Sequence, residues 1–356
     1  SELRGRDAED RHYLLQLDLD QCTGCGLCVE ICPAKSKTQS NLKALHQEEK
    51  APRLQQEAVH LDFFRSVPAQ HEQTQHRTLR GVQFLPQRFE FPGACAGCGE
   101  TGVLKLISQL FGDRMLVANA TGCSSIYGGN LPTTPWTVDE NGRGPAWANS
   151  LFEDNAEFGY GFRLSADLKK QQALQLVNEL AAEGKLDPAL AEALTSADQD
   201  VPSEISAQRQ RIQELDAALT AVSKDPRAAR LRSVMDALVN RSVWIVGGDG
   251  WACDIGFGGV DHVLCSGRNV NLLVVDTEAY SNTGGQASKS TPLGAVAKFA
   301  AGGKDTAKTD LALHGILKGN VYVGSISLGA KLPQALKTLQ EAEAWPGPSL
   351  VVAYSP

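Results

Sequence analysis

Two groups of cysteines and two glycine-rich turns hold most of the chemistry this chain could perform. The run CTGCGLCVEICP sets Cys22, Cys25, Cys28 and Cys32 at C-x2-C-x2-C-x3-C, with Pro33 following. Three thiolates this close, on a loop that Gly24 and Gly26 allow to curl, can wrap three corners of an iron-sulfur cubane. Zinc is the competing ion, but its sites pair two C-x2-C knuckles across a longer loop. The spacing therefore points to a 4Fe-4S cluster.

In two-cluster ferredoxins the fourth cysteine of such a run ligates the other cluster. Cys22, Cys25 and Cys28 then need a fourth ligand from elsewhere, and Cys32 would serve a cluster whose other ligands are absent. The expectation is a chain that begins partway through a ferredoxin-like domain. A second group, Cys95 and Cys98 in PGACAGCGETG with Cys123 in NATGCSS, offers three more thiols. A cluster needs four ligands, so one is again lacking. A redox dithiol is the alternative for Cys95 and Cys98, and it calls for a thioredoxin-like setting.

The stretch IVGGDGWACDIGFGGVDHVLCSGRNVNLLVVDTEAYSNTGGQ reads as one βαβ unit. A strand ends at Gly247, the turn Gly248-Asp249-Gly250 follows, a helix is predicted from about Asp254 to Leu264, and a second strand ends near Asp276. The crossover brings Asp249 and Thr277 to one carboxyl edge of the sheet, where open α/β sheets bind ligands. Glycines let the backbone approach a diphosphate, while a carboxylate, a hydroxyl and a main-chain carbonyl are hard oxygens suited to magnesium. GDG alone is an ordinary turn. Neither the dinucleotide fingerprint nor the P-loop is met.

These residues need a scaffold, and the 356-residue length suggests about two domains. Residues 1–45 form a partial ferredoxin-like segment and 46–90 a connector, whose His60, His71 and His76 read as solvated surface. Residues 91–356 form an α/β domain: LVANA, VWIVGG, NLLVVDT, VYVGSIS and SLVVAYS are short apolar runs bounded by turns, as in buried parallel strands. The sheet should be doubly wound and mostly parallel. Between about 165 and 240 lies a helical insertion. Leu164, Leu168, Leu174, Val177 and Leu180 recur at helical spacing, Gly184 stops that helix, and Asp187-Pro188 and Asp225-Pro226 open others. A net charge of -7 argues against nucleic acid. With no membrane-length apolar run and no signal-peptide core in SELRGRDAED, a soluble cytoplasmic protein is expected.

At this point the chain resembles one family, the pyruvate:ferredoxin (flavodoxin) oxidoreductases. The likeness lies in CTGCGLCVEICPAKSK, FPGACAGCGETG, TGCSSIYGGNLPTTPW, GRGPAWANSLFEDNAEFGYG, GGDGWACDIGFGGVDHVL and DTEAYSNTGGQASKSTPLGAVAKFAAGGK. The resemblance implies a thiamine diphosphate-binding fold, with Mg2+ and 4Fe-4S clusters. It places Asp249, Thr277 and the carbonyl of Ala279 on the magnesium. Gly248, Asp249, Gly250 and Trp251, with Thr277, Glu278, Ala279, Tyr280, Ser281 and Asn282, match cofactor-contacting turns. Asn282 matches a position near the thiazolium and substrate, as the catalytic candidate, and Glu100 and Cys123 match positions beside the cofactor. Cys95, Cys98 and Cys123 match three ligands of the cluster nearest to thiamine diphosphate, and the fourth is expected as a cysteine directly after Pro356.

The implied reaction is oxidative decarboxylation of pyruvate with coenzyme A, electrons leaving one at a time to ferredoxin or flavodoxin. The full-length enzyme would be a homodimer, and this chain would hold cofactor and clusters while substrate selection lies mostly elsewhere. Alternatives are a cofactor-binding, electron-transfer fragment without turnover, a thiamine enzyme for another 2-oxo acid, a non-oxidative decarboxylase, and a fusion passing electrons to NADP. Cys253 and Cys265 depart from the family pattern; both are expected to be buried, unligated thiols.

Overall fold

The computed structural model describes residues 15–39, 42–67, 78–129 and 133–356. The chain divides into two units, residues 1–70 with 95–97, and residues 71–94 with 98–356. His71 and His76 and the start SELRGRDAED lie outside the described residues; His60, on α2 below, is exposed.

Among its described residues the first unit has two helices, α1 (Leu27–Ile31) and α2 (Leu54–Ser66). Gly26 precedes α1 at φ 79°, a left-handed conformation that glycine adopts without penalty and that turns the loop into the helix. Lys35 and Lys43 form an antiparallel bridge, and Lys43 Nζ donates to Val29 O at 2.8 Å. None of the described residues 15–67 is buried. Such a segment has no apolar core to hold it.

The second unit is an α/β layer. In chain order it runs α3 (Leu79–Val82), α4 (Gly99–Phe111), β1 (Met115–Ala120), α5 (Cys123–Gly128), β2 (Ala146–Ser150), α6 (Asn155–Ala182), α7 (Pro188–Thr195), α8 (Pro202–Ala221) and α9 (Pro226–Arg232). It continues with β3 (Ser242–Gly248), α10 (Phe257–Leu264), β4 (Asn271–Asp276), α11 (Leu311–Leu317), β5 (Tyr322–Ile326), α12 (Leu328–Ala344) and β6 (Ser349–Tyr354). The six strands are wholly parallel, in the order β2-β1-β3-β4-β6-β5. Alternate residues of a strand face opposite sides. On β3, Trp244 and Val246 join a core with Leu104, Ile107 and Leu339, while Val243 and Ile245 join another with Val260, Val263 and Leu264. Both faces are covered, which explains why the central strands are continuous apolar runs.

The inserted helices have their own core, built from Leu176, Val177, Leu180, Leu194, Leu215, Leu219 and Leu231. Asp187 and Asp225 accept from the backbone N–H of Ala189 and Arg227, with Pro188 and Pro226 in the first turn, as the sequence indicates. The first of these helices begins earlier, at Asn155, and its Leu164 and Leu168 are exposed. Its inward face at that end carries the small residues Ala156, Gly159 and Ala166, which let it lie close on the sheet, and the buried Arg163, which donates to Arg241 O at 3.0 Å. Among the described residues no helix is long and apolar enough to cross a membrane.

Candidate cofactor and metal site

The strand order places a crevice. From β1 the chain turns to β2 on one side, and from β3 to β4 on the other, so the carboxyl ends of β1 and β3 flank a switch point, with the loops leaving them in opposite directions. The turns after β1, β3 and β4 carry Cys123, Asp249 and Thr277. Gly248 pairs with Val275, which sets Asp249 level with Asp276 and one residue before Thr277. The helix expected from about Asp254 to Leu264 is α10, Phe257–Leu264, and it starts three residues later because a π-turn, Trp251–Ile255, precedes it, with Gly256 N reaching back to Trp251 O at 2.9 Å. Such turns recur at functional sites.

Asp249 is 1% exposed. Its Oδ1 accepts from Thr277 N and from Thr277 Oγ1, both at 3.2 Å, and its Oδ2 accepts from Ser288 Oγ at 2.5 Å. Thr277 Oγ1 also lies 3.0 Å from Ala279 O. An octahedral ion with ligands at about 2.0–2.1 Å separates neighbouring oxygens by about 2.8–3.0 Å. The sequence Asp249 Oδ1, Thr277 Oγ1, Ala279 O thus has nearly the spacing of ligands on one small hard cation. Burial pushes Asp249 up to about 6, the bonds from Ser288 and Thr277 oppose this, and neighbouring Asp276 adds to it. Asp276 has its cation, Lys308, at 2.6 Å; among the described residues none pairs with Asp249. A buried carboxylate without a positive partner suits a divalent ion, so the residues present fit magnesium.

Tyr280 locks the two turns together. Its ring covers Gly250, where a Cβ would come 2.4 Å from the ring, and its hydroxyl donates to Gly250 O at 3.3 Å. Glu278 sits at φ 61°, a strained value for a side-chain-bearing residue. It is held there on three sides: its N–H donates to Asp276 Oδ1 at 3.0 Å, its carbonyl accepts from Thr291 Oγ1 at 2.6 Å, and Lys308 reaches its carboxylate at 2.7 Å. Ser281 Oγ lies 2.6 Å from Thr277 Oγ1, and Asn282 is exposed on the same turn. Trp251 is wholly buried, its indole packed in the core beneath the turn.

Glu100 on α4 is buried and accepts from Tyr127 OH at 2.8 Å. Burial pushes its carboxyl up to about 7; the Tyr127 bond opposes this, and the charge of Asp249 adds to it. Tyr127 is itself shifted upward, first by burial, then by Glu100, and also by Cys98 and Cys123. Tyr127 therefore shares its surroundings with Glu100 and both thiols, and Glu100 feels Asp249. Cys98 caps α4 and Cys123 opens α5, so both stand at helix N-terminal ends, which favour a thiolate. The Cys123 turn is braced from beneath: Asn119 donates to Ser124 Oγ at 2.8 Å and accepts from Trp147 Nε1 at 3.1 Å. Tyr127, Ser288, Ser290 and Lys308 carry no spacing that marks them in the sequence. They join the site only through the fold.

Cys95 belongs to the first unit and Cys98 and Cys123 to the second. In the first unit, Gln47 Nε2 donates to Gly24 O at 2.7 Å, and backbone hydrogen bonds at Leu45, Ala34 and Ala44, helped by Lys43, hold the Cys32 thiol below its usual range. A thiol favoured as thiolate suits a cluster ligand. Among the described residues no three His, Cys, Asp or Glu side chains form a ready-made cage. Cys22, Cys25, Cys28 and Cys32 thus offer donors by spacing, and ordering would come with the metal. Cys253 is buried, and burial pushes its thiol up to about 12, which makes it inert. Cys265 is exposed, against expectation, because it lies just past the last turn of α10, where its N–H bonds to Asp261 and His262 carbonyls.

Comparison with known proteins adds the kinship. A family model described as a 4Fe-4S binding domain matches residues 15–36. A pyruvate-flavodoxin oxidoreductase of Trichormus variabilis is 55% identical over 347 residues, 96% of this chain and 29% of that protein. A pyruvate:ferredoxin oxidoreductase of Moorella thermoacetica is 46% identical over 369 residues, 99% of this chain and 30% of that protein. A solved 2-oxoglutarate:ferredoxin oxidoreductase from Magnetococcus marinus, with 2-oxoglutarate, coenzyme A and succinyl-CoA bound, aligns at TM-score 0.43 and 15% identity, over 76% of this chain and 66% of that one, too slight a likeness to build on. Over nearly its whole length the chain is homologous to one segment of the pyruvate-flavodoxin and pyruvate:ferredoxin oxidoreductases, a segment of 29% and 30% of the two relatives.

Proposed function

We propose that the chain is the thiamine diphosphate- and magnesium-binding, cluster-carrying part of an enzyme that oxidatively decarboxylates pyruvate, with coenzyme A as acyl acceptor and ferredoxin or flavodoxin as electron acceptor. The observation that carries this reading is the run of oxygens Asp249 Oδ1, Thr277 Oγ1 and Ala279 O at 3.2 and 3.0 Å, on adjacent strand ends beside a switch point. The names of the relatives support the choice of pyruvate and of one-electron partners.

In this reading Asp249, Thr277 and the Ala279 carbonyl hold Mg2+, and the turns from Gly248 to Trp251 and from Thr277 to Asn282 receive the diphosphate and the ring beyond it. Thiamine diphosphate, when bound, supplies the nucleophile and electron sink for decarboxylating a 2-oxo acid. The chain's own residues bind and orient. Glu100, with its carboxyl pushed up to about 7, can hold or release a proton near neutral pH, and Tyr127 fixes its orientation. Asn282 offers an exposed amide at the turn's tip. Cys98 and Cys123 are the cluster ligands of this unit, and Cys22, Cys25, Cys28 and Cys32 those of the first.

A second reading, a cofactor-binding and electron-transfer module without turnover of its own, draws on the match of residues 15–36 to a 4Fe-4S binding domain. The experiment is anaerobic purification, assay of iron and acid-labile sulfide, titration with thiamine diphosphate with and without Mg2+, and then pyruvate, coenzyme A and a low-potential dye. Iron and Mg2+-dependent binding are expected. Dye reduction by this chain alone would defeat the second reading; lack of Mg2+-dependent binding would defeat the first.

A further inference from the structure

The stretch ASKSTPLGAVAKFAAGGK holds none of the ligands, yet it lies directly behind them. Ser288 and Ser290 are 4% and 2% exposed. Ser288 Oγ donates to Asp249 Oδ2 at 2.5 Å, and Ser290 Oγ donates to Asp276 Oδ1 at 2.7 Å. The direction of the Ser288 hydroxyl is fixed, since Ser290 N donates to that same oxygen at 3.1 Å and occupies a lone pair. Its single proton is left to point at Asp249. Outer bonds hold the segment in place: Lys304 Nζ donates to Lys289 O at 2.9 Å and to Thr291 O at 2.7 Å, and Lys289 N donates to Asp254 Oδ2 at 3.1 Å.

Oδ2 of Asp249 is thus taken by a short hydrogen bond from Ser288, whereas Oδ1, which carries the longer bonds from Thr277 N and Oγ1 at 3.2 Å, is the oxygen adjacent to Thr277 Oγ1. Calcium takes six to eight oxygens and readily accepts both oxygens of a carboxylate, whereas magnesium demands a compact octahedron with single-oxygen ligands. We propose that Ser288 is a positioning and specificity-determining residue, which restricts Asp249 to one-oxygen ligation and so biases the site toward Mg2+ over Ca2+. This rests on the reading of Asp249 as a cation ligand. Ser290 acts on Asp276 and has no bond to Asp249, so it serves as the neighbouring control.

The test uses the 356-residue chain with thiamine diphosphate present, Mn2+ as the paramagnetic probe, and displacement of Mn2+ by Mg2+ and by Ca2+. The parent should prefer Mg2+ to Ca2+. Ser288→Ala should weaken Mg2+ about 10- to 100-fold, the usual effect of losing such an outer partner, while Ca2+ weakens far less, so the Mg2+/Ca2+ ratio falls at least about tenfold. Ser288→Thr, which keeps the hydroxyl, should restore the ratio, and Ser290→Ala should leave it unchanged. Equal losses for both ions in Ser288→Ala would mark a merely structural role and overturn the proposal, as would a parent that prefers Ca2+. If Ser288→Ala does not fold, Ser288→Cys, a weaker donor of similar size, is read by the same criterion. No Mn2+ binding to the parent would bring down this inference together with the cation site; binding with an unchanged ratio would bring down this inference alone.

Discussion

The seam between the two ligand-bearing turns can be tested by adding one carbon. Gly250 has φ -63° and ψ -34°, values open to any residue, so Gly250→Ala introduces no backbone strain. Its new Cβ, however, would lie 2.4 Å from Tyr280 Cε1, 2.6 Å from Cδ1 and 2.9 Å from Cζ. Carbon atoms pack at about 3.5–4.0 Å, so the overlap is about 1 Å and the ring must move. Overpacking of this kind costs about 1–3 kcal/mol. Moving the ring also breaks its bond to Gly250 O and its contact with Phe152, whose ring centre lies 6.0 Å away. Without the ring the sign reverses: glycine to alanine at a compatible backbone position stabilises by about 0.4–1 kcal/mol through the unfolded state. The pair Gly250→Ala and Tyr280→Ala should therefore couple by roughly 1.5–4 kcal/mol, well above the ~0.3–0.5 kcal/mol scatter of independent sites. Urea unfolding of the parent, both single variants and the double variant, followed by far-ultraviolet circular dichroism, measures the coupling. A destabilised Gly250→Ala and a double variant at least as stable as Tyr280→Ala are expected. Additivity within about 0.5 kcal/mol would mean that Tyr280 does not clamp Gly250 and would refute the reasoning.

Asp249→Asn keeps the side chain's shape and removes its charge; Mg2+-dependent binding of thiamine diphosphate should fall at least about 100-fold, by isothermal titration, while the fold persists. Retained binding would exclude Asp249 as the charged ligand. Burial pushes the Glu100 carboxyl up to about 7 in the fold, against an ordinary value of 4.5. Between those values the folded, metal-free chain keeps a proton that the unfolded chain has released, so stability falls as pH rises through that window and levels off above it. Glu100→Gln should gain on the parent between pH 4 and pH 8, and a flat difference would show that Glu100 ionises normally. Since no described residue of 15–67 is buried, removing iron by anaerobic chelation should speed amide exchange there at least about tenfold and leave β3 and β4 protected. Equal exchange with and without iron would show that the segment holds itself together.

Much of the scaffold was legible because its cause is local. The apolar runs expected at 243–248 and 271–277 are the strands Ser242–Gly248 and Asn271–Asp276, since strands buried on both faces need unbroken apolar sequence. AWANS at the sheet edge is the strand Ala146–Ser150, and its largely uncovered burial pattern left no such run to read. Asp-Pro pairs revealed two inserted helices because a cap and its first turn are adjacent in sequence. The outward turn of Leu164 and Leu168 and the exposure of Cys265 depended on which face met the sheet and where a helix stopped.

The site divides along the same line. Asp249 and Thr277 could be named as candidates from sequence because each sits in a turn directly after its own strand, and parallel pairing must bring those turns to one edge, whereas the Ala279 carbonyl was named through the family resemblance. Which oxygen of Asp249 Ser288 binds, and that Glu100 meets Tyr127, were decided by tertiary structure. Ser288 is 39 residues from Asp249, and Tyr127 is 27 from Glu100. No periodicity links residues at such separations. Only the packed loops bring their hydrogen-bonding atoms within reach, and a hydrogen bond depends on that distance rather than on residue type alone.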